Sequence, residues 1–389
     1  MKCYDVAVCG GGFAGISAAL AAAREGKSVV LFEKEYMLGG LGTAGLITIY
    51  LPLCDGFGRQ VSFGIAEELL KLSITYGAEA NYPENWLDNI GTRTEKDKRY
   101  EVQYNAQLFA ILAEKLLTEH HVDIFYGSYV IDVETQNDRV TALCVQNKSG
   151  RQLFPVRTVV DATGDCDIAH FAGVPTENYQ QGNILAAWYY ATDPEGYRLQ
   201  MVGVAEAPKE ETTGAEEKPL IQRRFSGLDG KDISEMVCLS HQQSLSHWLK
   251  LRQKKKDAVI STIATIPQIR MTRKIVGEYE LSNKEEHTYF EDSIGMVSNW
   301  KKRGPVYEVP FRTLYNRKMK NLLVAGRCTS VNETLWDVMR VIPCCAVTGQ
   351  AAGIAAAMTD DMTALEIPAL QRKLRENGVV LHEADLQKL

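Results

Sequence analysis

The run Gly10-Gly11-Gly12-Phe13-Ala14-Gly15 has residue types and spacing suited to holding phosphate. Gly10 allows a tight turn, Gly12 lets the backbone approach a pyrophosphate, and Gly15 lets a helix pack on a strand. A helix starting at this loop would present free N–H groups to the anion. Glu33 follows at the distance where an acid accepts hydrogen bonds from a ribose 2′-hydroxyl. The loop alone could be a glycine-rich turn of an ordinary βαβ unit. Loop and acid in this order point to a bound dinucleotide.

The elements needed to position these residues are legible on either side of them. Residues 4–9 read as a short buried strand, 16–25 as an alanine-rich helix and 28–32 as a second apolar run ending on Glu33. Residues 104–119 form a helix with Leu108, Ile111, Leu112 and Leu116 on one face. A strand is expected at 122–125. Runs 129–134, 139–146 and 153–156 alternate as an antiparallel meander, and 158–162 is a further buried strand. Beyond Val174 the texture changes, with a strand at 186–191, an exposed loop at 206–218 and a long helix at 233–256. Residues 321–326 return as a buried strand, 345–358 as a helix of small residues and 367–377 as a surface helix. The expected fold is α/β: a nucleotide domain (1–175 and 317–389) with a parallel sheet and a β-meander, and an inserted α+β substrate domain (176–316).

The chain has 389 residues, enough for two domains, since single cores stop growing near ~250–300 residues. A net charge of −6 argues against nucleic acid as the main partner, and the basic run at 250–256 reads as a solvated helix end. No apolar stretch reaches the ~18–20 residues needed to span a bilayer. The N-terminal apolar run is itself the first strand rather than a signal peptide, so a cytoplasmic location is expected. Nine cysteines include no Cys-x-x-Cys pair, so no redox disulfide motif, zinc ribbon or iron–sulfur spacing is expected, and no metal. Cys344-Cys345 precedes a helix, which could lower a thiol pKa; two small packing residues is the plainer reading.

After Glu33 and Lys34 comes a second glycine-rich turn, Gly39-Gly40, followed by Gly42-Thr43. Further on stand Asp161-Ala162-Thr163-Gly164-Asp165, Leu322-Leu323-Val324-Ala325-Gly326-Arg327 and Gly349-Gln350-Ala351-Ala352-Gly353. With the Gly10–Gly15 loop and Glu33, these blocks resemble the FAD-dependent oxidoreductases built like the glutathione reductase and fumarate reductase flavoproteins, with Rossmann-like FAD-binding domains. The resemblance runs nearly end to end. A narrower likeness, to a bacterial FAD-dependent oxidoreductase family, rests on Gly56-x-Gly58-Arg59-Gln60, the block 269–279 and Tyr307-Glu308-Val309-Pro310-Phe311-Arg312. The resemblance implies FAD as cofactor. Gly10, Gly12, Phe13, Ala14 and Gly15 would cradle its pyrophosphate, and Glu33 with Lys34 would hold the adenosine ribose. Gly39, Gly40 and Thr43 would line the passage to the flavin, and Val130 would offer backbone contacts to adenine. Ala162, Thr163 and Gly164 would close over the adenosine half. Gly326 and Arg327 would approach the ribityl chain, with Arg327 standing where many relatives carry an acid. Gly349, Gln350 and Ala351 would set a helix N-terminus at the flavin N1–C2=O edge, where a helix dipole stabilises negative charge.

The implied activity is hydride transfer between flavin N5 and a small organic substrate, anionic or polyhydroxylated. The alternative is an FAD-binding scaffold or partner subunit without redox turnover of its own. Arg340, just before the flavin helix, either contacts substrate or flavin or forms an ion pair with Asp337 or Glu333. Arg270 and Arg273, three apart, either clamp a carboxylate or phosphate from one helical face or turn, or pack an interdomain seam. Arg312 divides the same way. Glu333, Asp337 and His287 are candidate proton carriers, His287 reading better as a surface histidine. Trp188, Tyr189, Tyr190 and Trp336 could line a substrate wall or fill the core. No second GxGxxG occurs mid-chain, so no separate nicotinamide domain is expected. The fumarate reductase arrangement of catalytic histidines and arginine is not recognisable. The electron acceptor or donor is left unassigned, and a homo-oligomer is left open.

Overall fold

The β1 strand (Tyr4–Cys9) is apolar on both faces because both faces are covered. Val6 and Val8 turn into one core with Val29 and Leu31 of β2 (Val29–Phe32); Ala7 and Cys9 turn into the other with Val30 and Phe32. This alternation is the period of two that a buried strand must show. Each of the valine, leucine and phenylalanine side chains, fully buried, contributes roughly 1.5–3 kcal/mol. The computed structural model describes residues 2–76, 102–203 and 220–388. The loop expected at 206–218 lies outside the described residues.

Helix α1 (Phe13–Arg24) joins β1 to β2. Next come β3 (Ile49–Tyr50), α2 (Ile65–Ile74), β4 (Val102–Gln103), α3 (Ala106–Glu119) and β5 (Asp123–Phe125). The meander is β6 (Tyr129–Gln136), β7 (Arg139–Asn147) and β8 (Gly150–Asp161). The 153–156 and 158–162 runs, expected as separate strands, are this single strand β8. Its first half pairs antiparallel with β7; its second half pairs parallel with β1 on one side and with β16 (Leu322–Val324) on the other. One strand thus ties the meander to a parallel sheet ordered β5-β2-β1-β8, closed by β16. Phe32, Cys9, Asp161 and Val324 sit opposite one another in register. Glu33, Gly10, Ala162 and Ala325 therefore all leave the sheet at its carboxyl edge, where α/β sheets bind ligands.

Between β8 and β16 run α4 (Asp167–Phe171), β9 (Thr176–Asn178), β10 (Tyr189–Asp193), β11 (Gly196–Gln200), α5 (Gly230–Lys254), β12 (Val259–Ile263), β13 (Arg273–Ile275), β14 (Ser293–Ser298) and β15 (Val306–Pro310). The β11-β10-β12 sheet lies beside α5, and Leu185, Phe225, Met236 and Ile269 form a small core there. The β14–β15 hairpin instead shares the large core through Ile294, Val297, Tyr307 and Val309. Its neighbours there include α7 (Ile342–Met358), which follows α6 (Glu333–Met339) and precedes α8 (Ile367–Glu376).

The α3 face differs from the one expected. Phe109, Ala113 and Leu117 are buried with Ala106 and Ala110, while Ile111 is exposed and Leu108, Leu112 and Leu116 lie on the flank. The cause is Phe13, whose ring stacks on Phe109 at 4.5 Å and draws that face inward. Helix α7 is buried all round, so it has no polar face. Gly349 and Gly353 let it cross α1 at close range: a Cβ on either would overlap the carbonyl of Ala14 or Ala18.

Candidate active site

A cleft of about 330 Å³ opens along the carboxyl edge of the parallel sheet. Its floor is the Gly10–Ala14 loop and the first turn of α1. A Cβ on Gly15 would strike the Gly10 carbonyl, so glycine there lets the turn and the helix meet. A Cβ on Gly12 would meet nothing within 4 Å, so this backbone lies bare toward the cleft. That open cradle beside a helix start is what a pyrophosphate needs.

Glu33 closes one end. It is buried, with Oε2 accepting from the Gly11 N–H at 2.6 Å and Oε1 from the Glu35 N–H at 2.9 Å. Burial raises its pKa, against the lowering by those two N–H groups. Each oxygen keeps acceptor capacity for a ribose hydroxyl. Lys34, Ser128, Tyr129 and Val130 line the same end. Ala162, Thr163 and Gly164 form its side wall. Asp161 builds that wall by accepting from Thr163 N and Oγ1 (3.1 and 2.6 Å) and from Ile168 N and Ala169 N (2.9 and 3.0 Å). Its carboxyl is pushed up to about 6 by burial, although those donors pull it down.

Gly39, Gly40, Leu41 and Gly42 carry the cleft onward. Thr43 does not line it: its Oγ1 donates to the Leu38 carbonyl at 2.6 Å and pins the turn from behind. Gly326 and Arg327 face this middle section. Arg327 donates to the carbonyls of Ile269 (2.6 Å) and Arg270 (3.0 Å) and pairs with Asp165 at 3.4 Å.

Arg340, Ile342 and Cys345 line the cleft where α6 gives way to α7. Arg340 is held by Asp337, whose Oδ1 accepts from Nε at 2.8 Å; the other Asp337 oxygen pairs with Lys301. Cleft lining and ion pair, offered by the sequence as alternatives for Arg340, are thus both present. The helix N-terminus here belongs to Ile342, not to Gly349, Gln350 and Ala351. Those three are in the middle of α7, where Gly349 packs on α1 and Gln350 accepts from the Ile65 N–H at 2.9 Å. The missed signal was Pro343, a residue favoured in the first turn of a helix.

Arg270 and Arg273 do not form a common clamp, because no helix carries them. Arg273 opens β13 and donates to the Asp165 carbonyl (2.9 Å) and to Asp167 (2.6 Å), bracing the loop after β8. Arg270 turns to Gln268 and the Trp188 ring. Arg312 pairs with Asp292 away from the cleft, and His287 is a surface residue paired with Glu383 at 2.8 Å. Trp188, Tyr189, Tyr190 and Trp336 are core residues with bonded polar tips: Trp188 Nε1 donates to the Gly203 carbonyl and Trp336 Nε1 to that of Arg327. Cys344 is buried, and Cys345 is pushed up to about 12 by burial, so neither is a ready thiolate. Ile269, which opens the 269–279 block, also lines the cleft, as do Thr265, Ile266 and Pro267, which no motif or periodicity marks in the sequence.

The family described as FAD dependent oxidoreductase matches residues 5–205 and 186–374. No curated protein matches the chain. Among solved structures, it is similar to a geranylgeranyl bacteriochlorophyll reductase-like protein from Thermoplasma acidophilum (13% identity, TM-score 0.46, covering 97% of this chain and 83% of that one). It is also similar to a triple mutant of a flavin-dependent brominase (13%, 0.47, 96% and 84%). The anhydrotetracycline hydroxylase OxyS of Streptomyces rimosus is a third (12%, 0.45, 96% and 65%).

Proposed function

The chain belongs to the family of FAD-dependent oxidoreductases, and from that premise we propose that its cleft holds FAD and that a small organic substrate is oxidised or reduced at the Arg340 end. The observation that carries this reading is the continuity of the cleft, from Glu33 past the bare Gly12 backbone to the start of α7. When bound, FAD supplies hydride chemistry at its N5. The chain's own residues hold it. The Gly10–Gly15 loop meets the pyrophosphate, Glu33 and Lys34 the ribose, and Ser128 to Val130 the adenine. Thr163 and Gly164 close the adenosine half; Gly39 and Gly40 line the passage toward the flavin.

Where α6 gives way to α7, Arg340 and the positive end of α7 favour negative charge, by about 0.3–1 kcal/mol for the helix dipole alone. Asp337, engaged by Arg340 and Lys301, positions Arg340 rather than carrying protons. Residues 176–316 serve as the substrate-facing unit, supported by the Thr265–Ile269 stretch along the cleft wall. The substrate is anionic or polyhydroxylated, a reading supported by the arginines at this end. A cytoplasmic setting fits nine cysteines that are all free. Among the described residues no single helix is long and apolar enough to cross a membrane.

The test is an anaerobic visible spectrum of the purified protein before and after adding NADH, NADPH and a panel of hydroxy acids, amines and sugars. Bands that bleach with one compound identify the reductant. Flavin bands that no compound bleaches would favour a partner subunit. No flavin, even after FAD is added back, would remove the proposal.

A further inference from the structure

Arg270 is a buried charged residue without an ion-pair partner among the described residues. It is 4% exposed, yet among the described residues no carboxylate lies within ion-pair range of its guanidinium. Its side-chain contacts are Gln268 Oε1 at 2.9 Å and the Trp188 ring, whose centroid is 5.2 Å away. Gln268 in turn donates to the Gly45 carbonyl at 2.6 Å, just past the glycine turn that lines the cleft. Burying an uncompensated cation is costly, and arginine cannot readily shed its proton to escape the cost.

The charges nearby add to the imbalance. Arg340 and Arg327 line the cleft and raise the cost of the Arg270 charge, while Asp337 favours it without reaching ion-pair distance. Asp337 is shared between Arg340 and Lys301, and Asp165 is taken by Arg327. A second unsatisfied group stands close by. The Tyr179 hydroxyl is buried and has no hydrogen-bond partner; Glu333 and Asp337 bear on it from one side and Arg224 and Arg340, more weakly, from the other. Tyr179 and Arg270 are carried by adjacent segments: the Tyr179 N–H donates to the Thr272 carbonyl at 2.7 Å, and Asn183 Oδ1 accepts from the Arg270 N–H at 2.8 Å. A buried hydroxyl left unmatched beside an arginine without an ion pair calls for a missing acceptor.

We propose that this acceptor is a carboxylate of the substrate, anchored by the Arg270 fork and completed by Arg340 and the Tyr179 hydroxyl, so that the enzyme acts on a small carboxylic acid. Planar arginine and planar carboxylate match in a two-bond geometry, and Trp188 behind the guanidinium holds its plane. The inference rests on the flavin reading above, since it makes the Arg340 end of the cleft the reaction site.

The test is calorimetric titration of flavin-loaded protein with oxalate and acetate as probes, and with neutral oxamide as control. Flavin content is read from the visible spectrum beforehand, so a failure of the flavin reading is seen separately. The expected result is saturable oxalate binding and no oxamide binding, with affinity at least about tenfold weaker in Arg270→Gln, as loss of a charge-assisted hydrogen bond predicts. Arg270→Lys and Tyr179→Phe should weaken binding while keeping wild-type flavin content. If Arg270→Gln does not fold, these two variants decide. Flavin-loaded protein that binds no oxalate, or equal oxalate affinity across the variants, would overturn the proposal. So would a slower flavin reduction with unchanged anion affinity, which would assign Arg270 to the flavin instead.

Discussion

Asp337 Oδ1 accepts from Arg340 Nε at 2.8 Å, and this contact sets where positive charge stands at the end of the cleft. Asp337 is fully buried at the C-terminal part of α6, and its other oxygen faces Lys301. One carboxylate thus restrains two cations. Asp337→Asn should leave both underpaired and cost about 3–5 kcal/mol of stability, the usual penalty for breaking a buried ion network. Urea unfolding of the variant against wild type measures it. A loss under about 1 kcal/mol would mean solvent already screens the group.

Glu33, after β2, and Arg340, before α7, both line the cleft, and their variants should fail differently. Glu33→Ala should lower flavin occupancy, read as the ratio of visible to ultraviolet absorbance after gel filtration. The loss of one or two hydrogen bonds to a carboxylate corresponds to about 1.5–3 kcal/mol, or roughly 10- to 150-fold in affinity. Arg340→Ala should leave occupancy near wild type and slow reduction by the true substrate. Reduction at the wild-type rate would remove Arg340 from the reaction.

Asp161 links the cleft wall to pH. Its ordinary value is 3.8, and burial pushes it up to about 6 in the folded protein. The folded state therefore holds this proton longer than the unfolded chain. The stability it contributes is full below about pH 4 and is lost as pH rises to about 6. Asp161→Asn cannot ionise, so the stability of wild type minus variant should fall by roughly 3 kcal/mol between pH 4 and pH 7, at ~1.4 kcal/mol per pKa unit. A difference that does not change with pH would place the carboxyl at its ordinary value.

Gly349 packs against the Ala14 carbonyl in the loop that forms the cleft floor. Gly349→Ala should push α7 off α1 and cost about 1–3 kcal/mol, an overpacking penalty. Since Ala14 lines the cleft floor beside Gly12, FAD affinity should fall with stability. A variant with lowered melting temperature and unaltered FAD affinity would separate helix packing from the cradle.

The phosphate loop was legible because its signals are local. Gly10, Gly12, Gly15 and Glu33 fall within one βαβ unit, where backbone geometry follows from neighbouring residues, and the cleft is built on that unit. The arginines were not legible in this way. Spacing of three unites residues on a helix but separates them along a strand. Arg273 opens β13 and braces the Asp165–Asp167 loop, while Arg270 stays buried beside Trp188. The Thr265–Pro267 stretch was unreadable for a related reason: its place on the cleft wall comes from contacts distant in sequence, including the Thr265 N–H to the Ala44 carbonyl at 2.9 Å.

By itself the sequence determined a dinucleotide site and the α/β order of elements, since both are written in short-range patterns of glycine, apolar alternation and one acid, while FAD followed from the family resemblance. Tertiary structure decided which helix end faces the cleft, that Arg270 is buried without an ion pair among the described residues, and how Asp337 divides itself between Arg340 and Lys301. Those outcomes depend on burial and on charge balance among segments far apart in the chain, and neither quantity exists until the segments have packed.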